Sequence, residues 1–146
     1  MTVANRGDVT MELYPKAAPK TTARVVELAR QGFYNGIRFH RVVDGFVVQA
    51  GDPKSKTDGV DVPYIGRSGS GKTIPFEKNN LPHVPGAVAM ALNAPASDTA
   101  DSQFFIDLAD NATLNGDYCV FGKVTQGMDV VRSIKKGDAI TSMTVQ

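Results

Sequence analysis

The sequence predicts a mainly β fold, an antiparallel barrel or sandwich with two helices at its open ends. Three observations lead there. Apolar and polar residues alternate with period two over many short runs, and only two stretches keep a helical period. Gly, Pro, Asn and Asp punctuate the gaps between them. Strand and helix patterns do not alternate regularly, so a parallel sheet of crossover units is not expected.

Val9, Met11 and Leu13 alternate with Thr10 and Glu12 after a turn at Arg6-Gly7. Pro19 suits a first helical position. Thr22, Val25, Val26 and Ala29 follow at the spacing of one buried helix face, with Gly32 placed to end it. Two apolar runs, at Arg41-Val42-Val43 and Val47-Val48, are split by Asp44-Gly45, the sign of a β-hairpin. Residues 54–85 are rich in Gly, Ser, Lys, Asp and Pro and read as long surface loops around a short strand or two. Runs at 87–92, 103–108, 118–124 and 140–145 complete the strands. Val130, Val131 and Ile134 form a second, shorter helical stripe that Gly137 stops. No repeat or internal boundary emerges, so residues 1–146 read as a single domain.

Sixteen basic and fifteen acidic side chains leave a formal charge of +1, which gives no electrostatic footprint for nucleic acid or an anionic membrane. No apolar run approaches the roughly 18 residues of a membrane helix. The stretch through Tyr14 lacks the charged and apolar regions of a signal peptide. A cytoplasmic protein without membrane or nucleic-acid partners is expected, and nothing requires more than a monomer. The single cysteine, Cys119, excludes an internal disulfide framework and reads as a buried small hydrophobe.

Gly66-Arg67-Ser68-Gly69-Ser70-Gly71-Lys72-Thr73 fits the phosphate-loop pattern at every position. That motif needs a buried strand before it and a helix after it. Pro63 interrupts the first and Pro75 the second, so the segment reads as a flexible glycine loop. His40 alternates with Arg41 and reads as structural. His83, between Pro82 and Pro85, reads as a solvated loop residue. Neither a zinc motif nor a cysteine cluster occurs, and Asp98, Asp101 and Asp107 lack calcium-loop spacing. With no G-x-S-x-G turn either, neither a metal, a cofactor nor a covalent intermediate is expected.

Arg41 stands out, a cation mid-strand among aromatic and β-branched residues. Alternation puts it on the face of Phe39 and Val43, and Val47 on that of Gln49. Taken alone, the segment fits equally well an exposed arginine whose stem covers apolar surface.

Motifs along nearly the whole chain shift that balance. They run from Glu12-Leu13-Tyr14-Pro15 and Gly32-Phe33-Tyr34-Asn35-Gly36 to Phe39-His40-Arg41-Val42-Val43 and Gly45-Phe46-Val47-Val48-Gln49-Ala50-Gly51-Asp52-Pro53. Pro85-Gly86-Ala87-Val88-Ala89-Met90-Ala91, Ser102-Gln103-Phe104-Phe105-Ile106 and Val120-Phe121-Gly122-Lys123-Val124 follow. In these the chain resembles the cyclophilins, peptidyl-prolyl cis/trans isomerases, and most closely a compact, bacterial-style member.

The resemblance implies an eight-stranded antiparallel β-barrel closed by two α-helices. It implies an isomerase that assists folding by speeding rotation about Xaa-Pro bonds in flexible or unfolded protein segments. Arg41 takes the place of the catalytic arginine, expected to hydrogen-bond the prolyl nitrogen. Phe46, Val47, Phe105 and Leu114 fall where side chains line the proline pocket. Gln49, Gln103, Ala91 and Leu92 fall where the peptide is held. Tyr118 replaces a histidine of many relatives and still supplies an aromatic wall. Thr113 replaces a frequent tryptophan, which weakens the expected binding of cyclosporin-type ligands. Ala50 for glycine and Val47 for methionine reshape the pocket modestly.

Overall fold

The structure, a computed structural model, describes residues 1–146. Its strands are β1 (Thr2–Val3), β2 (Gly7–Asp8), β3 (Thr10–Leu13), β4 (Arg41–Val43), β5 (Val47–Ala50), β6 (Ala87–Met90), β7 (Phe104–Asp107), β8 (Val120–Gln126) and β9 (Ile140–Ser142). Two helices, α1 (Pro19–Arg30) and α2 (Met128–Ser133), complete the regular structure. The fold is mainly β with two helices, as expected.

The closed eight-stranded barrel is not what forms. The strands make a three-stranded sheet in the order β2-β1-β9 and a six-stranded sheet in the order β3-β8-β6-β7-β5-β4, all neighbours antiparallel. The reason lies at the seams. Between β2 and β3, Val9 donates its N–H to the Met1 carbonyl and leaves the β3–β8 ladder. At the other seam the contact is a single bridge, Arg38 with Ala139, flanked by the bond from Phe39 N–H to the Asp138 carbonyl. Isolated bonds replace a continuous ladder at both places.

α1 begins with Pro19 at its first turn, where a missing N–H costs nothing. Its N-cap, Ala18, supplies no side-chain bond. The distant Glu77 does so instead: its carboxylate accepts the N–H groups of Lys20 and Thr21 at 3.0 and 2.6 Å. An anion there also suits the positive end of the helix dipole. Thr22, Val25, Leu28 and Ala29 are buried, while Val26 is only half-buried. The loop region 54–85 contains no strand, only a 3-10 turn at Pro53–Lys56 running into it and a bridge from Ile74 to Ala100.

Alternation gives the six-stranded sheet two unlike faces. Val48, Val88, Phe104, Ile106 and Phe121 point inward, into a core of 24 buried residues that also takes Leu28 of α1 and Val131 of α2. Val47, Ala87, Ala89, Phe105 and Val120 point outward and form a second, five-residue cluster. The candidate site is built on that outer face.

Candidate active site

The β4–β5 hairpin turns at Asp44-Gly45, where Gly45 takes φ 68° and Phe46 N–H bonds the Val43 carbonyl at 3.0 Å. Its register pairs Arg41 with Gln49, and Gln49 in turn pairs with Phe105 on β7. Three side chains of the candidate set are thereby lined up across adjacent strands on one face. Gly51 makes this possible. Its φ is 114°, and a Cβ there would collide with the Ser102 carbonyl and the Gln103 backbone, so only glycine lets β5 lie against the start of β7.

Arg41, Phe46, Val47, Gln49 and Phe105 line a notch of about 200 Å³ together with Ala91, Leu92, Leu114 and Tyr118. Ala91 and Leu92 continue beyond β6, Leu114 ends a 3-10 turn at Ala112–Leu114, and Tyr118 precedes β8. The Tyr118 ring meets Phe105 edge-on at 5.8 Å and 80°. The Arg41 guanidinium carbon lies 5.7 Å from the Phe46 ring centroid, within cation–π reach. Arg41 is exposed and joins none of the molecule's ion pairs, so its donors are free.

Gln103 stands apart from the other candidates. It lines an adjoining polar hollow of about 160 Å³ with Arg67, Ser68, Asn93 and Thr99, and Gln49, Ala91 and Leu92 line both spaces. Gln49 Nε2 donates to Gln103 Oε1 at 3.1 Å, and Gln103 Nε2 donates to the Ser68 carbonyl at 2.8 Å. The two glutamines are therefore held before any ligand arrives. Arg67 and Ser68 lie in the glycine-rich loop, and no local pattern marks them as neighbours of the notch. A larger cleft of about 490 Å³ opens between β3, α1 and the C-terminal residues. It reaches the inner face at Val88, Phe104 and Phe121, and no Lys, Arg or His side chain lines it.

Several sequence readings change. Phe39 does not share a face with Arg41: it lies outside β4 and is fully buried, while Arg41 and Val43 are exposed. His40 is buried, but it is not the satisfied structural histidine expected, because its Nδ1 has no hydrogen-bond partner. Burial lowers its pKa, opposed by Asp52 and reinforced by Arg41 and Lys136. His83 is not solvated. It is 1% exposed, bonds Asp107 at 2.8 Å and stacks on Phe105. Cys119 is buried, and desolvation raises its pKa, the reverse of a reactive thiol.

The glycine loop is pinned in place by carboxylates. Asp52 accepts the N–H of Gly66 at 2.6 Å, and Asp101 accepts those of Gly71 and Lys72 at 2.9 and 3.2 Å. A phosphate cradle needs such N–H groups free for its anion. Here two side-chain anions already occupy them. No group of three or more His, Cys, Asp or Glu side chains is placed to hold a metal ion.

The fold and site define a class: a mainly β protein with an apolar, arginine-rimmed notch on the outer face of an antiparallel sheet. The family model described as "Cyclophilin type peptidyl-prolyl cis-trans isomerase/CLD" matches residues 1–146. A probable peptidyl-prolyl cis-trans isomerase of Brucella suis biovar 1 (strain 1330) is 46% identical, over 90% of this chain and 68% of its own length. Peptidyl-prolyl cis-trans isomerase B of Bacillus subtilis (strain 168) is 40% identical, over 94% of this chain and 90% of its own. A cyclophilin-type isomerase of Cryptosporidium parvum, crystallised in the presence of the dipeptide Ala-Pro, superposes with a TM-score of 0.77 at 27% identity, covering 95% of this chain and 96% of that one. The chain belongs to the cyclophilin-type peptidyl-prolyl cis-trans isomerase family and is an isomerase.

Proposed function

We propose that the notch receives the proline ring of flexible or unfolded protein segments, and that Arg41 lowers the barrier to rotation about the preceding peptide bond. The bond resists rotation because its partial double-bond character imposes about 18–20 kcal/mol, so uncatalysed exchange takes tens of seconds. Rotation makes and breaks no covalent bond, so it requires neither a nucleophile nor a metal ion. A catalyst needs only to bind the twisted bond better than either planar isomer.

Twisting ends the delocalisation of the nitrogen lone pair and makes that nitrogen a hydrogen-bond acceptor. Arg41 donates to it, an interaction absent from the planar ground states. By analogy with oxyanion-hole donors, such a contact is worth roughly 2–4 kcal/mol. Phe46, Phe105 and Leu114 grip the ring, with Val47 and Tyr118 behind them, while the N-terminal side of the peptide rotates. The main chain at Ala91 and Leu92 and the paired amides of Gln49 and Gln103 hold the flanking peptide. Assistance to folding client proteins follows from that activity. Thr113 is exposed and contributes nothing to the notch wall, so cyclosporin-type ligands bind weakly.

The observation that carries this reading is the unpaired Arg41 guanidinium at the mouth of an aromatic notch. The Cryptosporidium structure adds support, since that protein was crystallised with an Ala-Pro dipeptide. NMR exchange spectroscopy on an Ala-Pro peptide tests it. Substoichiometric protein should speed exchange between the cis and trans signals. Peptide binding with unchanged exchange would leave only a module that grips proline-containing loops.

A further inference from the structure

Behind the notch lies a buried polar pair that the proposed chemistry does not use. His83 Nδ1 is 2.8 Å from Asp107 Oδ2, and neither side chain has any exposed surface. The pair reaches four walls of the notch. The His83 ring stacks on Phe105 with centroids 5.8 Å apart and planes 16° from parallel. Its Nε2 lies 3.3 Å from the main-chain oxygen of Tyr118. Asp107 Oδ1 accepts from Asn111 Nδ2 at 2.7 Å, and the same nitrogen donates to the Phe46 carbonyl at 3.0 Å. Asn111 also donates its main-chain N–H to the His83 carbonyl, and its own carbonyl accepts the N–H of Leu114, both at 2.9 Å.

Donor and acceptor chemistry fixes the protons. The Tyr118 carbonyl can only accept, so Nε2 of His83 carries a hydrogen. Between Nδ1 and Oδ2, 2.8 Å apart, one further proton lies. Wherever it rests, as imidazolium with carboxylate or as imidazole with carboxylic acid, the pair has no net charge and no unmet bond. A buried polar network satisfied at every member rigidifies its surroundings.

We propose that His83 and Asp107 are positioning residues that hold Phe46, Phe105, Leu114 and Tyr118 at the spacing the proline ring requires. This rests on the notch being the reaction site. The four walls come from three chain segments: strand pairing joins the hairpin of Phe46 to β7, but the loop carrying Leu114 and Tyr118 needs a further anchor to both. The network supplies that anchor from the protein side, so the notch is shaped before the peptide binds.

The test compares Asp107→Asn with Asp107→Leu. The asparagine amide donates to Nδ1 of a neutral His83 while its oxygen still accepts from Asn111, so every bond is kept. Leucine keeps approximate shape and loses them all. The expected result is KM within about twofold of wild type for asparagine, and KM raised about tenfold for leucine with kcat much less affected. Equal KM values for wild type and a folded Asp107→Leu would overturn the proposal, and so would an asparagine variant as impaired as the leucine one. Should leucine not fold, His83→Phe keeps the stack on Phe105 and loses both ring bonds. The same rise in KM is expected there, and an unchanged KM would overturn the proposal. An Arg41→Ala variant that turns over at the wild-type rate, beside a raised Kd for an Ala-Pro peptide in Asp107→Leu, would sink the mechanism while leaving the positioning role intact.

Discussion

Phe104 and Phe105 are neighbours on β7, yet they face opposite sides of the six-stranded sheet. Phe104 is 1% exposed within the 24-residue interior, and Phe105 is 5% exposed in the five-residue outer cluster. Both are aromatic and nearly covered, but their surroundings differ. On the inner side the partners are aliphatic and aromatic, among them Tyr34, whose ring meets Phe104 edge-on at 5.6 Å. On the outer side they include His83, Tyr118 and the paired glutamines, with a free guanidinium at the rim. One strand thus faces the main core on one side and the proposed recognition notch on the other, because its side chains alternate.

The sharpest way to break this comparison is to truncate each ring in turn. Phe104→Ala should cost about 3–5 kcal/mol of stability, seen as a lower midpoint in urea, with near-normal turnover per folded molecule. Phe105→Ala should cost less stability, because its cluster is small and borders the open notch. Its kcat/KM should fall at least about tenfold, in line with the 1–3 kcal/mol range for hydrophobic discrimination. Similar stability losses with unchanged turnover in Phe105→Ala would erase the distinction between the faces.

A smaller effect sharpens the same contrast at the edge strand. His40 flanks Arg41 but is buried, with its Nδ1 unpaired and its pKa lowered chiefly by burial. The unfolded chain takes up a proton near pH 6.5, and the folded protein only at lower pH. Stability is therefore complete above that pH and declines as the pH falls through the folded value. Thermal melts should show Tm dropping by a few degrees from pH 7 to pH 5, with a shallower slope in His40→Gln. The half-buried N-terminal amine of Met1 also has a lowered pKa, but it contributes equally to both proteins. Identical slopes would remove His40 from the acid response.

Apart from Arg41, the residues around the notch came from the resemblance to the cyclophilins, whereas the strands with several alternating positions and both helices were legible in the chain itself. Their signals are local: a period of two, a turn at Asp44-Gly45, a proline at a helix start. β1 and β2 are two residues each, too short for any alternation to show. The open seams at Val9 and Phe39 rest on isolated hydrogen bonds, Val9 with Met1 and Phe39 with the distant Gly137 and Asp138, so a count of strands could not reveal them. His83 was misread for the same reason. Its flanking prolines suggest a wet loop, whereas its partner Asp107 lies 24 positions away. The glycine loop likewise owes its order to Asp52 and Asp101, neither of which belongs to the motif.

The account depends most on Arg41, and replacing it with alanine tests that dependence directly. Arg41 is exposed and unpaired, so Tm should stay near the wild-type value. Loss of roughly 2–4 kcal/mol of transition-state stabilisation corresponds to a fall in kcat/KM of about 30- to 1000-fold on an Ala-Pro peptide. Arg41→Lys should also be poor, since a compact ammonium lacks the planar fork of donors. A folded Arg41→Ala protein that isomerises the peptide at near the wild-type rate would contradict the mechanism outright.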